Sequence, residues 1–218
     1  MSFFENTRKP EGLGGKIMVA MMNVGHSAVA RWGLQFLNAA PDAKVLDCGC
    51  GGGANIKRLL KKCPQGIVKG IDYSPVSVEK TKKVNETAIA EGRCAVLQGS
   101  VADMIFADDW FDAVTAFETI YFWPDLPQCF REVYRVLKDD GVLIAPTFTH
   151  AGNSLSGKAK AFFMSMAGFP LCSRWTSEEY LRFLRQNGWA VQKSAVLKAS
   201  FPLTYAECTK SEGPDVVL

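Results

Sequence analysis

Histidine is nearly missing: the chain of 218 residues has two, His26 and His150. Seven cysteines are present (Cys48, Cys50, Cys63, Cys94, Cys129, Cys172, Cys208), none at CxxC spacing. A zinc centre would therefore find few ligands at usable intervals. An odd, scattered set also argues against a disulfide framework, so these are read as reduced thiols packed as small apolar groups. No sign of charge dominates: 25 Lys+Arg against 22 Asp+Glu leave a formal +3. That excess is too small to announce a nucleic-acid binder. No apolar run reaches the roughly 18 residues of a membrane span. The opening MSFFENTRKPEG lacks the apolar core of a signal peptide, so a cytoplasmic location is expected. Repeats and low-complexity tracts are absent too. What is there is ordinary for a globular chain, 48% hydrophobic and 22% charged. The length suits one domain with an appendage.

The first forty residues differ from the rest. Met18, Met21, Met22 and Gly25 recur at helical spacing, and Val29, Trp32 and Phe36 continue it, as in one or two amphipathic helices before Pro41. Residues 1–40 are thus expected to form an N-terminal helical cap on a domain spanning 41–218. From residue 43 short apolar strands alternate with helices: strands at 43–48, 66–72, 94–98, 111–117 and 141–145, and helices at 54–62, from Ser74-Pro75 to near Gly92, and around Phe130, Val133, Tyr134 and Leu137. Strands apolar on both faces imply a parallel sheet covered by helices. Thr176 and Glu179 form a capping box for a helix ending at Gly188, and two final strands follow near 190–194 and 203–207. The expected fold class is α/β, Rossmann-like and doubly wound: a mainly parallel seven-stranded sheet with an antiparallel last strand. A lid-like insertion is expected near 151–175, with the loop 152–157 and a helix over 158–168 that carries Phe162, Phe163 and Met164.

The densest signal is Val45-Leu46-Asp47-Cys48-Gly49-Cys50-Gly51-Gly52-Gly53, at a strand-to-helix junction. Glycines there accept positive φ and let the backbone approach a ligand, while the helix amides can face a negative group. Two ligands fit. Gly49-x-Gly51-x-x-Ala54 matches the dinucleotide pattern, with Asp72 where a ribose-binding acid belongs. The alternative is Gly49-x-Gly51-x-Gly53 preceded by an acid. Asp47 favours the second, because a carboxylate beside the loop repels a pyrophosphate and attracts an ammonium and a sulfonium.

The sequence resembles the class I S-adenosylmethionine-dependent methyltransferases. The resemblance rests on VLDCGCGGG at 45–53, GIDYS at 70–74, LQGSVADMIF at 97–106, FDAVTAFETIYFWPD at 111–125 and EVYRVLKDDGVLI at 132–144, and covers roughly residues 43–210. It looks closest to the small-molecule branch that includes quinone-type enzymes. It implies that Asp47 and Gly49, Gly51 and Gly53 hold the methionine portion of the cofactor. By the same resemblance Asp72 binds the ribose hydroxyls, Tyr73 packs on the adenine, Ser100 and Val101 flank the adenine edge, and Phe117 and Glu118 close the site. Many relatives carry Asp where Ser100 stands; a hydroxyl can still accept from the adenine amino group, with less charge assistance. The Asn/Asp-Pro-Pro-Tyr/Phe motif of nucleic-acid N-methylating relatives is absent after the fourth strand.

Methyl transfer needs alignment of acceptor, methyl and sulfur. Aromatic faces can stabilise the cation. An acidic acceptor also needs a base, for which His is suited near pH 7. Candidate catalytic residues are therefore His26, Tyr121 and His150, with Phe122 and Trp123 as either substrate wall or packing. The acceptor is expected to be small and apolar or aromatic. The basic stretches Lys57, Arg58, Lys61, Lys62 and Lys80, Lys82, Lys83 read as solvated helix faces, which disfavours a nucleic-acid partner. The sequence is silent on oligomeric state. A nicotinamide-dependent oxidoreductase and a non-catalytic adenosyl-ligand-binding protein stay open as rival readings.

Overall fold

A computed structural model describes residues 27–149, 175–197 and 202–211. Met18, Met21, Met22, Gly25, His26, His150, Cys172 and the expected insertion helix with Phe162, Phe163 and Met164 lie outside the described residues.

Eight strands form one sheet: β1 Lys44–Cys48, β2 Ile67–Asp72, β3 Cys94–Gln98, β4 Phe111–Thr115, β5 Leu137–Ile144, β6 Thr147–Phe148, β7 Trp189–Leu197 and β8 Leu203–Lys210. Their order is β3-β2-β1-β4-β5-β8-β6, with β7 also paired to β8. β1 to β5 pair in parallel, and β8 runs antiparallel to β5, β6 and β7. The antiparallel last strand is as expected. Among the described residues the count is eight rather than seven because Pro146, which has no N–H to donate, breaks the ladder after β5. The chain then re-pairs with β8 over Thr147–Phe148 alone.

The described helices are α1 Ser27–Leu34, α2 Ala54–Lys62, α3 Pro75–Val84, α4 Glu86–Ala90, α5 Leu126–Val136 and α6 Ser177–Gln186, with a 3₁₀ turn at Ile120–Phe122. The helix read from Ser74 to Gly92 is interrupted: α3 ends at Val84 and α4 restarts at Glu86, with Asn85 in a non-helical conformation between them. The capping box is complete, Glu179 N–H donating to Thr176 Oγ1 at 3.2 Å and Thr176 N–H to Glu179 Oε2 at 2.7 Å. Leu137, expected on the face of α5, instead opens β5.

Apolar side chains cover both faces of the sheet. On one face Leu46, Cys48, Val114, Phe130, Tyr180 and Trp189 pack with α5 and α6. On the other, Val45, Ala113, Leu59, Leu34, Phe117 and Tyr205 pack with α1 and α2. The basic face of α2 is only partly solvated. Arg58 donates to the Ser27 hydroxyl at 2.6 Å, and Lys62 Nζ to the Leu37 carbonyl at 2.9 Å. Those two cations fasten α1 and the segment after it to the body of the domain.

Candidate functional site: the glycine loop after β1

In the order β3-β2-β1-β4-β5, the crossover from β1 goes one way to β2, and β4 lies on its other side. The carboxyl ends of β1 and β4 therefore flank a topological switch point, where open parallel sheets bind ligands. Asp47, one residue before the end of β1, is in register there with Thr115 of β4. The Thr115 hydroxyl donates to Asp47 Oδ1 at 2.7 Å. Asp47 Oδ2 is buried and has no hydrogen-bond partner among the described residues. Burial raises the Asp47 pKa to about 7, against the lowering effect of the Thr115 hydrogen bond, and the nearby Asp72 charge adds to the rise.

The loop after β1 alternates left-handed residues: Gly49 at φ +73°, Gly51 at φ +53° and Gly53 at φ +81°. At Gly49 the space is also closed, since a Cβ would overlap the Thr119 hydroxyl oxygen and lie 2.8 Å from Thr119 Cβ. Only glycine lets the loop after β4 approach so closely. Asp72, at the end of β2, accepts from Gly51 N–H at 2.8 Å and Ser74 N–H at 2.9 Å. Its carboxylate thus ties the loop after β1 to the loop after β2, and burial raises its pKa. Asp47 and Asp72 lie at the carboxyl ends of neighbouring parallel strands. A buried and a half-buried carboxylate at one loop favour a ligand with cationic and hydroxyl groups.

The remaining sequence candidates fall at the same sheet edge with different roles. Tyr73 is 55% exposed. The Ser100 hydroxyl accepts from Ala102 N–H at 3.1 Å, so it first of all shapes its own turn. Val101 is buried in the α5-side core with Ile71 and Met104. Phe117 is buried beneath α1: a Cβ at Gly33 would meet its ring at 2.6 Å. Glu118 is buried and has φ +54°, an uncommon conformation for a side-chain-bearing residue. Its N–H donates to the Pro146 carbonyl at 2.9 Å, which fixes the loop after β4 to the end of β5. Tyr121 is buried, with Phe122 edge-on at 4.6 Å and Phe148 stacked at 6.4 Å between centroids. Trp123 turns inward instead and packs on Phe130 at 5.3 Å, which is the packing alternative.

Thr115 and Phe148 carry no mark of the site in the sequence. Thr115 reads as one more apolar-strand residue, and only the β1–β4 register brings it to Asp47. Phe148 reaches Tyr121 through the kink at Pro146, which strand periodicity does not reveal. A cavity of about 520 Å³ opens at the opposite, amino edge of the sheet, lined by Lys44, Asp112, Lys138, Lys193 and Glu207. Lys138 pairs with Asp112 and Lys193 with Glu207, and the Lys44 ammonium lies over the Trp110 ring.

A family described as a methyltransferase domain matches residues 46–145. Over that segment, 100 of the 218 residues, the chain is similar to a methyltransferase domain. Cycloartenol-C-24-methyltransferase 1 of Oryza sativa subsp. japonica is 35% identical over 102 residues, 47% of this chain and 29% of that protein. The chloroplastic 2-methyl-6-phytyl-1,4-hydroquinone methyltransferase of Arabidopsis thaliana is 32% identical over 110 residues, 50% of this chain and 31% of that protein. The matched segment thus spans about a third of each of these relatives. Among solved structures, a geranyl diphosphate C-methyltransferase from Streptomyces coelicolor A3(2), in complex with S-adenosyl-L-homocysteine, superposes with a TM-score of 0.70. It is 16% identical and covers 93% of this chain and 86% of that one, a likeness of fold.

S-adenosylmethionine is the cofactor of this domain, and the residues present fit it. The unpartnered, buried Asp47 oxygen is placed for an ammonium-bearing ligand. The same carboxylate opposes the pyrophosphate of a dinucleotide. Among the described residues no helix is long and apolar enough to cross a membrane.

Proposed function

We propose that the protein transfers a methyl group from S-adenosylmethionine to a small, apolar organic acceptor. The observation that carries this reading is the buried Asp47 oxygen without a hydrogen-bond partner among the described residues, beside a glycine loop tied to Asp72. The cofactor supplies an electrophilic methyl group on a sulfonium. In our reading Asp47 faces the ammonium of its methionine portion, Gly49, Gly51 and Gly53 give it access to backbone, and Asp72 keeps lone pairs for the ribose hydroxyls. Tyr73 covers the adenine, with Ser100 and Val101 at its edge. Phe117 and Glu118 close the methionine side.

The acceptor would lie against Tyr121, Phe122 and Phe148. Their faces exclude water and stabilise positive charge near the transferring methyl, each by about 0.5–2 kcal/mol. Glu118, held in place by its strained backbone, would accept a hydrogen bond from a polar group of the acceptor. His26 and His150, the two imidazoles of the sequence, are the proposed bases where the acceptor must lose a proton. An isoprenoid-like acceptor is the favoured class, because the relatives matched over this domain are named for cycloartenol and for a phytyl hydroquinone. The six described cysteines are buried free thiols, which fits the reducing cytosol.

The test is transfer of labelled methyl to a sterol, a prenylated hydroquinone and a prenyl diphosphate. Label should appear in at least one of them. Tyr121→Ala should lower kcat/KM for that acceptor at least tenfold, while cofactor affinity stays within twofold. Tight binding of S-adenosylhomocysteine with no transfer to any acceptor would favour a binding protein instead.

A further inference from the structure

We infer that Thr81 and Asn85, at the far end of α3, are positioning residues that set the face the glycine loop presents to the cofactor. The inference rests on the reading of that loop as the cofactor site.

Thr81 and Asn85 are distant from the loop in sequence and almost fully buried, at 0% and 4% exposure. The Thr81 hydroxyl donates to the Gly51 carbonyl at 2.7 Å. The Asn85 side-chain amide donates to the Gly53 carbonyl at 3.1 Å and to the Thr81 carbonyl at 2.9 Å. Cys50 Sγ lies 3.9 Å from the Thr81 hydroxyl, as a weak donor to it. Contact is close throughout: a Cβ at Gly53 would come within 2.7 Å of Asn85 Nδ2 and 2.9 Å of Thr81 Cα.

Peptide planarity turns these contacts into an orientation. The described peptides contain no cis bond, so each carbonyl points opposite to the N–H of the same peptide. Drawing the Gly51 carbonyl back to Thr81 turns the Gly52 N–H away from α3. The Gly53 carbonyl accepts from Lys57 N–H at 3.2 Å, the first hydrogen bond of α2, and Asn85 adds a second anchor to the peptide that carries Ala54 N–H. Asp72 meanwhile fixes Gly51 N–H. Glycine at positive φ can rotate the Gly51–Gly52 peptide plane at little cost, so the loop by itself does not select this arrangement. The carbonyl anchors do.

Asn85 is committed to this role. Both of its amide protons go to carbonyls, so its orientation cannot be reversed without setting oxygen against oxygen. Its Oδ1 is buried with no partner among the described residues, a cost that an apolar side chain would avoid. The break between α3 and α4 falls at this residue, which brings its side chain back over the loop.

The experiment is calorimetric titration of S-adenosylhomocysteine into wild type, Thr81→Val, Thr81→Ser and Asn85→Ala, well below each protein's melting temperature, with initial rates alongside. Thr81→Val keeps the shape and removes the donor. It should weaken binding roughly tenfold and raise KM for S-adenosylmethionine to match, with KM for the acceptor unchanged. Thr81→Ser should restore affinity to within twofold of wild type even where it lowers the melting temperature, since it keeps the hydroxyl and loses only the methyl. Asn85→Ala should behave as Thr81→Val does, and it carries the test if that variant does not fold. Wild-type affinity in Thr81→Val and Asn85→Ala, with only their melting temperatures reduced, would overturn the inference and leave a structural role. Failure of the wild type itself to bind the ligand would instead overturn the cofactor reading on which the inference stands.

Discussion

Gly49→Ala should lower the melting temperature by about 10 °C and abolish measurable cofactor binding, whereas Gly51→Ala should cost far less. Both glycines have positive φ, +73° and +53°. A left-handed conformation costs a side-chain-bearing residue about 1–2 kcal/mol. At Gly51 that is the main expense, since the nearest atom to an added Cβ is the Gly49 carbonyl oxygen at 3.9 Å. At Gly49 the added methyl also overlaps Thr119, which is buried and follows the strained Glu118. Overpacking of this kind adds about 1–3 kcal/mol, and each kcal/mol is worth about 2–4 °C in a chain of this size. Adding Thr119→Ala to Gly49→Ala should recover part of the loss, because it removes the overlapping hydroxyl but keeps the Cβ 2.8 Å away. Thermal denaturation of the four proteins checks this. Equal penalties at Gly49 and Gly51 would mean that the contact with Thr119 does not set the loop.

Asp47 should make cofactor affinity depend on pH. Its pKa is raised to about 7, first by burial. An ammonium brought beside it favours the ionised carboxylate, so binding releases a proton. Affinity for S-adenosylhomocysteine should then rise roughly tenfold between pH 6 and pH 8 and level off above the raised pKa. Asp47→Asn should flatten that profile and bind at least tenfold more weakly at pH 8. Linkage also gives the sign for the ligand-free protein. Its folded state holds a proton that the unfolded state has lost between the ordinary value of 3.8 and about 7. Asp47 therefore subtracts stability as pH rises through that window, and Asp47→Asn should remove this contribution. A wild-type affinity that does not vary from pH 6 to pH 8 would mean that Asp47 does not face the cofactor's charge.

Much of this was legible in the sequence because the relevant signals are local. Apolar runs ending in Asp47 and Asp72 mark parallel strands, and the helix boundaries 54–62 follow from Ile56, Leu59 and Leu60 on one face. Thr176 and Glu179 capped their helix as their spacing demands. What was not legible depends on contacts between distant segments. The pairing of Thr115 with Asp47 needs the β1–β4 register. The eighth strand depends on where Pro146 interrupts one ladder and β8 offers another. Arg58 and Lys62 read as surface charges because nothing local tells that Ser27 and the Leu37 carbonyl lie against them. Trp123 and Phe122 are neighbours in sequence, yet one joins the core at Phe130 and the other meets Tyr121. The 3₁₀ turn between Thr119 and Trp123 makes that division.

We propose that the loop of Asp47, Gly49, Gly51 and Gly53, with Asp72, is what gives this protein its binding of an adenosyl sulfonium cofactor. It is tested most directly by calorimetric titration of S-adenosylmethionine, S-adenosylhomocysteine and NAD into wild type and Asp72→Ala. Asp72 would hold the ribose hydroxyls, and it also holds Gly51 N–H and Ser74 N–H, so its loss removes both ligand contacts and loop order. Wild type should bind the two adenosyl ligands with micromolar affinity and NAD not measurably, and Asp72→Ala should lose at least a hundredfold, about 2.7 kcal/mol. Binding of NAD in place of the adenosyl ligands, or equal affinity in wild type and Asp72→Ala, would contradict the account.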